Sequence, residues 1–286
     1  MYRKTAGPNV MTLIFGGLLL SALTGCATAP LESAGSLASY QNLTQSDGTL
    51  THSKLRVDKK DVLAAHTVTV APTAFSASAS QAELTDKQRL IISNAVNRSL
   101  CLGLSERFQI VPPGQPAELT VRALVTNVKP TNAAMSGVSN AVALVPSFFS
   151  LGYPVPVPRI PIGMGTLSLE AEARDNRGVQ KAAMIWARGA DSVTSKARVS
   201  AAGDPYELAS AFGDDFSKLL VTGESPFEKK IPTIPSMDRL SSTLGGKPKE
   251  AACEAFGREG IVKMIGGGMG LPPEWTDDGP PAPATN

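Results

Sequence analysis

Few side chains in this sequence have the chemistry that catalysis or metal binding requires. The 286 residues include only two histidines, His52 and His66, and three cysteines. A hydrolytic nucleophile needs a base and an orienting group beside it, and neither histidine is near a G-x-S-x-G motif. Cys101 and Cys253 lack the spacing of zinc ligands relative to each other and to the histidines. We therefore predict no catalytic residue, no metal site and no cofactor.

A pair of glutamates is the remaining candidate for acid–base chemistry. Glu170 and Glu172 are two residues apart in an alternating segment, so they lie on one face of a strand. Leu169 and Ala171 occupy the alternate, core-facing positions. We therefore expect both carboxylates to face solvent on the outer side of a hairpin.

Three further motifs have only part of a binding pattern. The adjacent acids at 214–215 and 277–278 lack the alternating oxygen ligands of a calcium loop, and we interpret them as surface acids. The glycine-rich run at 266–270 lacks the strand before it and the Lys-Ser or Lys-Thr after it that a phosphate loop has. It is interpreted as flexible or closely packed backbone.

The third cysteine has a more specific context. Arg3 and Lys4 precede an apolar segment at 10–23, which is shorter than the roughly 20 residues of a membrane-spanning helix and typical of a secretory signal peptide. The Leu-Thr-Gly-Cys sequence that follows resembles the bacterial lipobox, with cleavage between Gly25 and Cys26 and a diacylglycerol on the cysteine thiol. The alternative is an ordinary signal peptide that happens to contain a cysteine.

Lipid on Cys26 predicts where the protein works. Cleavage would leave equal numbers of basic and acidic residues, so net charge favours neither nucleic acid nor an anionic membrane. The acyl chains, palmitate among them, would then attach the protein to the membrane. Ala27, rather than an aspartate, follows the cysteine and favours the periplasmic face of the outer membrane over the inner membrane.

Hydrophobic periodicity outlines a folded domain at 50–223. Apolar residues recur at helical spacing in 80–107 and 204–222, and the second helix ends at Gly223. Alternating or β-branched segments predict five strands between and before them, at 67–72, 107–111, 119–126, 166–173 and 179–188, and weak alternation at 50–57 indicates a further short edge strand. This order predicts an α+β fold, with a mixed or antiparallel sheet of about five strands and two helices packed on one face.

The segments outside this pattern have less defined expectations. Residues 26–49 are predicted to be a tether and lead-in, and residues 224–286 a flexible Pro/Gly-rich tail. An apolar, proline-rich insertion at 133–163 has neither helical nor strand period. Its residues 141–163 either bind an envelope protein or fold over the sheet as cover for the core, and the sequence favours neither.

The two remaining cysteines are candidates for a disulfide. Helical spacing places Cys101 in the polar row of its helix, where a free thiol is a liability in an oxidising compartment. Cys253 is the only available partner and would fix residues near 250 across the outer face of that helix. The alternative is two separate thiols, with Cys101 half-buried and Cys253 mobile.

Several motifs together resemble the bacterial lipoproteins grouped as domain of unknown function 3313 (DUF3313). Besides the leader they are the following segments: LASY at 37–40, TVTVAP at 67–72, LSERF at 104–108, NVKPTN at 127–132 and GTLSLEAE at 165–172. The resemblance covers roughly residues 30–222. It implies no catalytic residue, because the family has no established ones.

These observations favour a non-enzymatic protein that binds or helps to assemble other components of the cell envelope. One alternative is a periplasmic hydrolase of envelope polymers, for which Glu170 and Glu172 are the residues to test. Another is a subunit of an export or lipid-transport machine, recruited through residues 141–163.

Overall fold

The computed structural model describes residues 29–139, 159–228, 236–237, 241–242, 245–258, 261–277 and 279–280. The predicted signal peptide, the lipidation site at Cys26 and residues 140–158 of the apolar insertion lie outside the described residues. The fold is α+β, as predicted, but the sheet has eight strands rather than about five.

The sheet is mixed, and its long central strands are antiparallel. The strands are β1 (Thr44–Gln45), β2 (Thr51–Val57), β3 (Thr67–Val70), β4 (Ala74–Phe75), β5 (Gln109–Ile110), β6 (Leu119–Lys129), β7 (Thr166–Asp175) and β8 (Gln180–Gly189). Their order is β1-β2-β8-β7-β6-β3-β5, and β4 also pairs with β6. The pairs β3–β5, β3–β6 and β4–β6 are parallel. The strands missed from the sequence, β1 and β4, have two residues each, too few to form an alternating pattern.

Five α-helices have defined bounds: α1 (Lys59–Ala64), α2 (Asp86–Leu104), α3 (Gly203–Thr222), α4 (Ile261–Gly268) and α5 (Pro273–Thr276). Residues 133–139 are also helical. Helix α2 begins later than predicted, at a capping box in which Thr85 and Gln88 each accept a hydrogen bond from the other's backbone N–H. Helix α3 ends where predicted, because Gly223 takes the left-handed conformation at φ 65°.

The main core lies between the sheet and the two long helices. Trp186 of β8 is fully buried and meets the ring of Phe212 edge-on, with ring centroids 5.6 Å apart. Helices α2 and α3 pack closely at Gly213, where an added Cβ would lie 2.5 Å from the Cβ of Ser99. Large side chains from both helices and apolar side chains of the central strands fill this layer.

On the other face of the sheet, β7 and β8 are covered by the segment at 29–43, which we call the lead-in. Leu37 of the lead-in is buried against Ala183 and Ile185 of β8, and three half-buried lead-in residues pack around them: Leu31, Tyr40 and Leu43. Of the predicted tether and lead-in at 26–49, residues 29–43 are an irregular segment fixed against the sheet, and a flexible tether is wrong for these residues. Their small side chains gave no periodic signal, although the backbone is fixed against the sheet.

The segment at 251–277, which we call the C-terminal segment, also packs on the core. It contains a 3-10 helix (Ala251–Phe256), α4 and α5. The prediction of a flexible tail is wrong for these residues. These residues cover the polar row of α2, which was predicted to face solvent. Asn94 and Arg98 in that row are therefore only 3% and 1% exposed.

Candidate functional site

The glutamate pair lies beneath the lead-in. Glu170 and Glu172 are only 1% and 2% exposed, so the prediction that they face solvent is wrong. The oxygens of Glu170 accept hydrogen bonds from the backbone N–H groups of Ala34 (2.9 Å) and Ser36 (3.2 Å). The hydroxyls of Ser36 and Tyr40 also donate to it, Tyr40 at 2.8 Å. A single carboxylate thus binds three positions of the lead-in.

Glu172, two residues further along β7, binds the lead-in in the same way. It accepts hydrogen bonds from the backbone N–H of Ala38 and from Nε2 of Gln180, both at 2.8 Å, and forms an ion pair with Arg174. Charge-assisted bonds of this kind offset the cost of removing a carboxylate from water. Burial raises the pKa of the Tyr40 phenol, and the hydrogen bond to Glu170 adds to the shift.

A small open cleft borders these carboxylates. It lies between the lead-in, the segment around β4 and the middle of β6, and its lining includes Ser36, Pro72, Arg122 and both glutamates. Arg122 and a carboxylate could in principle hold a polar ligand here. The glutamate oxygens are, however, already occupied by donors from the chain itself.

The two histidines are not brought together. His52 is exposed on β2, with Nδ1 3.6 Å from a carboxylate oxygen of Asp47. His66 is exposed at the start of β3, where its backbone N–H donates to Glu118. Strands β8, β7 and β6 lie between β2 and β3, which separates the histidines across the sheet.

Two of the predicted surface acids instead bind groups of the interior, Asp215 from a half-buried position and Asp277 from a buried one. Asp215 of α3 accepts a hydrogen bond from Nε1 of Trp186 at 2.8 Å, and burial raises its pKa to about 6. Asp277 is buried and forms an ion pair with Arg98, at 2.7 Å. The neighbouring Asp214 is exposed, as predicted. Residue 278 lies outside the described residues.

The ion pair of Arg98 belongs to a polar cluster between α2, α3 and the C-terminal segment. Arg98 also donates to the Tyr206 hydroxyl (3.1 Å) and to the backbone oxygen of Phe256 (3.3 Å). Tyr206 in turn donates to Asp277 at 2.6 Å. The cluster joins three separate parts of the chain, which the spacing of its members in the sequence does not reveal.

A disulfide between Cys101 and Cys253 lies beside this cluster. The Cα atoms are 5.6 Å apart, and 152 positions separate the cysteines in the sequence. The structure thus contains the disulfide that the sequence predicts, but the predicted exposure of Cys101 is wrong. Cys101 is fully buried rather than exposed, because the C-terminal segment covers the polar row of α2.

The glycine-rich run is closely packed at its start. An added Cβ at Gly266 would lie 2.6 Å from the Cγ2 of Thr276, and one at Gly267 would lie 2.1 Å from Nη2 of Arg198. The run therefore allows α4 to lie against Arg198 and α5. This contact accounts for Gly266 and Gly267, whereas an added Cβ at Gly268 would meet no atom within 4 Å.

A buried ion pair holds the end of the sheet near the apolar insertion. Arg159 and Asp204 are 4% and 0% exposed, with Nη2 and Oδ2 3.1 Å apart. Asp204 also accepts from the backbone N–H of Gly165 at 2.7 Å. Its carboxylate therefore binds both ends of the segment 159–165 before β7, and α3 begins one residue earlier than predicted, at Gly203.

In the described part of the chain, no group of three or more histidine, cysteine or acidic residues could hold a metal ion. No helix there is long and apolar enough to cross a membrane.

An α+β domain with one sheet face under helices and the other under its own N-terminal segment is the class of protein that this geometry defines. The chain belongs to the family described as protein of unknown function (DUF3313), which matches residues 32–216. No curated protein matches the chain.

Solved structures of PelC from Paraburkholderia phytofirmans are distantly similar. A PelC dodecamer is 10% identical, with a TM-score of 0.33, and the match covers 60% of this chain and 99% of that one. A dodecamer of a PelC variant is 12% identical, with a TM-score of 0.32, and the match covers 64% and 98%. At these values the similarity carries no argument about function.

Proposed function

We propose that this chain is a bacterial envelope lipoprotein, attached by lipid on Cys26 to the periplasmic face of the outer membrane. The observation that carries the proposal is the buried disulfide between Cys101 and Cys253. Structural disulfides form and persist in oxidising compartments such as the periplasm. The lipobox at 23–26 predicts export to the same compartment, from an independent part of the sequence.

Acyl labelling tests the lipid anchor. In wild type, we expect a labelled fatty acid to be incorporated and the protein to partition into the detergent phase. Cys26→Ala should abolish both, whereas the matched control Thr24→Ser, which keeps a small residue in the lipobox, should retain both. Detergent partition of Cys26→Ala equal to wild type would contradict the proposal.

Within the envelope, we propose that the protein acts by binding or assembly rather than by catalysis. Support comes from the use of Glu170 and Glu172, whose oxygens accept hydrogen bonds from the lead-in. A general acid or base must instead reach a proton on the substrate. Crosslinking in the native cell, followed by purification of this chain, would identify the partner.

Only residues 159–163 of the predicted partner segment at 141–163 lie within the described residues. Among them, Ile162 is 57% exposed whereas Arg159 is buried. A crosslinkable residue at Ile162 should capture the partner, and one at Val179, which is 49% exposed on the distant hairpin, is the control. Equal capture from both positions would contradict the role of this segment.

A periplasmic hydrolase is the second candidate, because the cleft places Arg122 beside both glutamates. An activity screen against envelope polymers would compare wild type with Arg122→Gln, which leaves the lead-in network intact. Turnover that Arg122→Gln abolishes without changing thermal stability would favour the hydrolase. Absence of turnover, or turnover that this variant retains, would count against the cleft as an active site.

A further inference from the structure

The lipid on Cys26 would be very close to the folded domain. Ala29 is already 5% exposed, so only two residues, Ala27 and Thr28, separate the modified cysteine from buried structure, a connection of three residue steps. A fully extended chain spans at most about 3.6 Å per residue, so this connection reaches about 11 Å. The lipid would therefore hold one particular part of the domain at the membrane.

The direction of the lead-in identifies that part. The backbone oxygen of Pro30 accepts a hydrogen bond from Ser168 at 2.7 Å, and Ala38 binds Glu172 four residues further along β7. The lead-in therefore begins at the end of the sheet where β7 starts. The register places this end of β7 beside the end of β6 and the end of β8, with Thr166 opposite both Lys129 and Gly189. We call it the anchor end.

The loops of the anchor end form one connected surface. Backbone hydrogen bonds join Asn132 to Gly163 and Arg159 to Ser192, each at 2.8 Å. Val199 donates to Gly270 at 2.9 Å, which adds the end of α4 to the same surface. A shared surface means that the side chains of these loops can meet one partner together.

Half of the ten exposed large apolar side chains among the described residues lie on these loops and the helical turns beside them. Five large ones lie there: Val138 (49% exposed), Ile162 (57%), Val193 (82%), Val199 (40%) and Met269 (66%). Exposed apolar surface of this kind typically marks contact with a protein or a membrane. The nearby lysines Lys129 and Lys196 are exposed, whereas Asp191 is buried. The loops thus combine apolar and cationic side chains, which suit the interface of a bilayer with anionic lipid.

The opposite end of the sheet has a different surface. The turn between β7 and β8 contains Asp175 and Arg177, which form an ion pair at 3.2 Å. Val179 is the one exposed large apolar residue beside this turn among those described. This end lies away from the point where the lead-in begins.

We propose that the anchor end lies directly on the bilayer, with Val193, Ile162 and their apolar neighbours among the lipid headgroups and upper acyl chains. The inference rests on the proposed lipid anchor and adds a fixed orientation to it. The sheet then stands with its anchor end on the membrane and its β7–β8 turn pointing into the periplasm. A second copy of the chain is the competing occupant of the apolar surface.

Site-specific fluorescence can test this orientation in the full lipidated protein. Because Cys101 and Cys253 are paired, a cysteine introduced at an exposed position is a unique site for a polarity-sensitive label. Val193→Cys and Ile162→Cys report on the anchor end, and Val179→Cys is the matched control at the opposite end. Each labelled protein is reconstituted into vesicles of phosphatidylethanolamine and phosphatidylglycerol, with and without brominated acyl chains.

We expect emission at positions 193 and 162 to shift to the blue and to lose intensity in the brominated vesicles. Emission at position 179 should remain that of a label in water. A blue shift without quenching by the brominated lipid would indicate contact with a second copy and would overturn the inference.

The lipid anchor and the orientation fail in different ways. Protein whose intact mass lacks the diacylglycerol would contradict the proposed anchor and the orientation together. Lipidated protein that floats with the vesicles while all three labels report water would contradict the orientation alone.

Discussion

The lead-in and the C-terminal segment cover opposite sides of the same layered core, but different forces hold them. The lead-in lies on the outer sheet face and is held by hydrogen bonds from its backbone to Glu170 and Glu172. The C-terminal segment lies on α2 and is held by a disulfide and by the buried ion pair of Arg98 with Asp277. One attachment is non-covalent and uses backbone donors, whereas the other is covalent.

The two attachments differ because the two segments have different side chains available to pack on the core. The lead-in contains small residues, so few apolar side chains can anchor it, and two carboxylates compensate by binding its N–H groups. The C-terminal segment contributes Phe256 to the core. It contacts α2 although 152 positions separate Cys253 from Cys101 in the sequence, so its docking closes a long loop. A disulfide removes much of the entropy cost of closing so long a loop. The two attachments should therefore fail independently.

Of the substitutions that separate the two attachments, removal of the disulfide should lower the free energy of unfolding most. For a loop of this length, the chain-entropy treatment gives a loss of about 4–5 kcal/mol in the free energy of unfolding for Cys101→Ala/Cys253→Ala. Urea unfolding measures the loss, and hydrogen exchange should show faster exchange in residues 251–256. The lead-in amides of Ala34 and Ala38 are the internal control and should keep their protection. A loss below about 1 kcal/mol would contradict this account.

Replacement of the buried cation should be the next largest effect. Arg98→Met keeps the volume of the side chain but leaves the Asp277 carboxylate buried without this guanidinium. Breaking a buried ion pair costs about 3 kcal/mol or more. The matched control is Arg177→Met, which removes an exposed arginine. The ion pair of Arg177 lies at the surface and should contribute less than about 1 kcal/mol. Equal losses in the two variants would mean that Arg98 contributes only through packing.

Substitution of the single carboxylate of Glu170 should loosen the lead-in. Glu170→Gln replaces one acceptor oxygen with an NH2 group, which faces N–H and O–H donors from Ala34, Ser36 and Tyr40. We expect a loss of about 2 kcal/mol and faster hydrogen exchange in the lead-in, with residues 251–256 unchanged. The same substitution at the exposed Glu83 is the control. Exchange that rises equally in both covering segments would contradict their independence.

The sequence predicted the layers of the fold because periodic apolar positions determine which faces are buried. The alternation in β7 assigned Leu169 and Glu170 to opposite faces, and the structure agrees. The prediction failed on what covers the second face. Alternation reports only the difference between two sides of a strand, and it cannot distinguish a polar residue in water from one that binds a distant backbone.

The lead-in was missed for the same physical reason, whereas the predicted disulfide already placed residues near 250 on α2. Backbone donors leave no sequence signal, so small residues at 29–43 have the composition of a flexible tether. One local sign of the lead-in was present in the sequence. Glu170 and Glu172 are two acidic residues at consecutive outward positions of β7, and a strand face in contact with water does not need acidic residues there. For the C-terminal segment the sign was Cys253, because a second cysteine in an exported protein needs a partner.

Asp215 lies in the core layer between these two coverings and should have the smallest effect, with a distinct dependence on pH. Its carboxylate accepts a hydrogen bond from Trp186, but burial outweighs this bond and raises the pKa to about 6. The unfolded chain has the ordinary aspartate pKa near 3.9, so the folded state binds the proton more tightly. The folded-state advantage is therefore complete below about pH 4 and is lost as the pH rises toward about 6.

Asp215→Asn tests this sign, because the amide oxygen can still accept from Trp186 but never becomes charged. Since the side chain is only partly buried, we expect a gain of about 1 kcal/mol in the free energy of unfolding at pH 7.5, and none at pH 4. Urea titrations at the two pH values measure the difference. The exposed Asp86 in the first turn of α2 is the matched control, because its charge favours the helix N-terminus and Asp86→Asn should lose a few tenths of a kcal/mol at pH 7.5. A gain for Asp215→Asn that is equal at both pH values would mean that the substitution improves packing, and that ionisation of Asp215 costs the folded protein nothing.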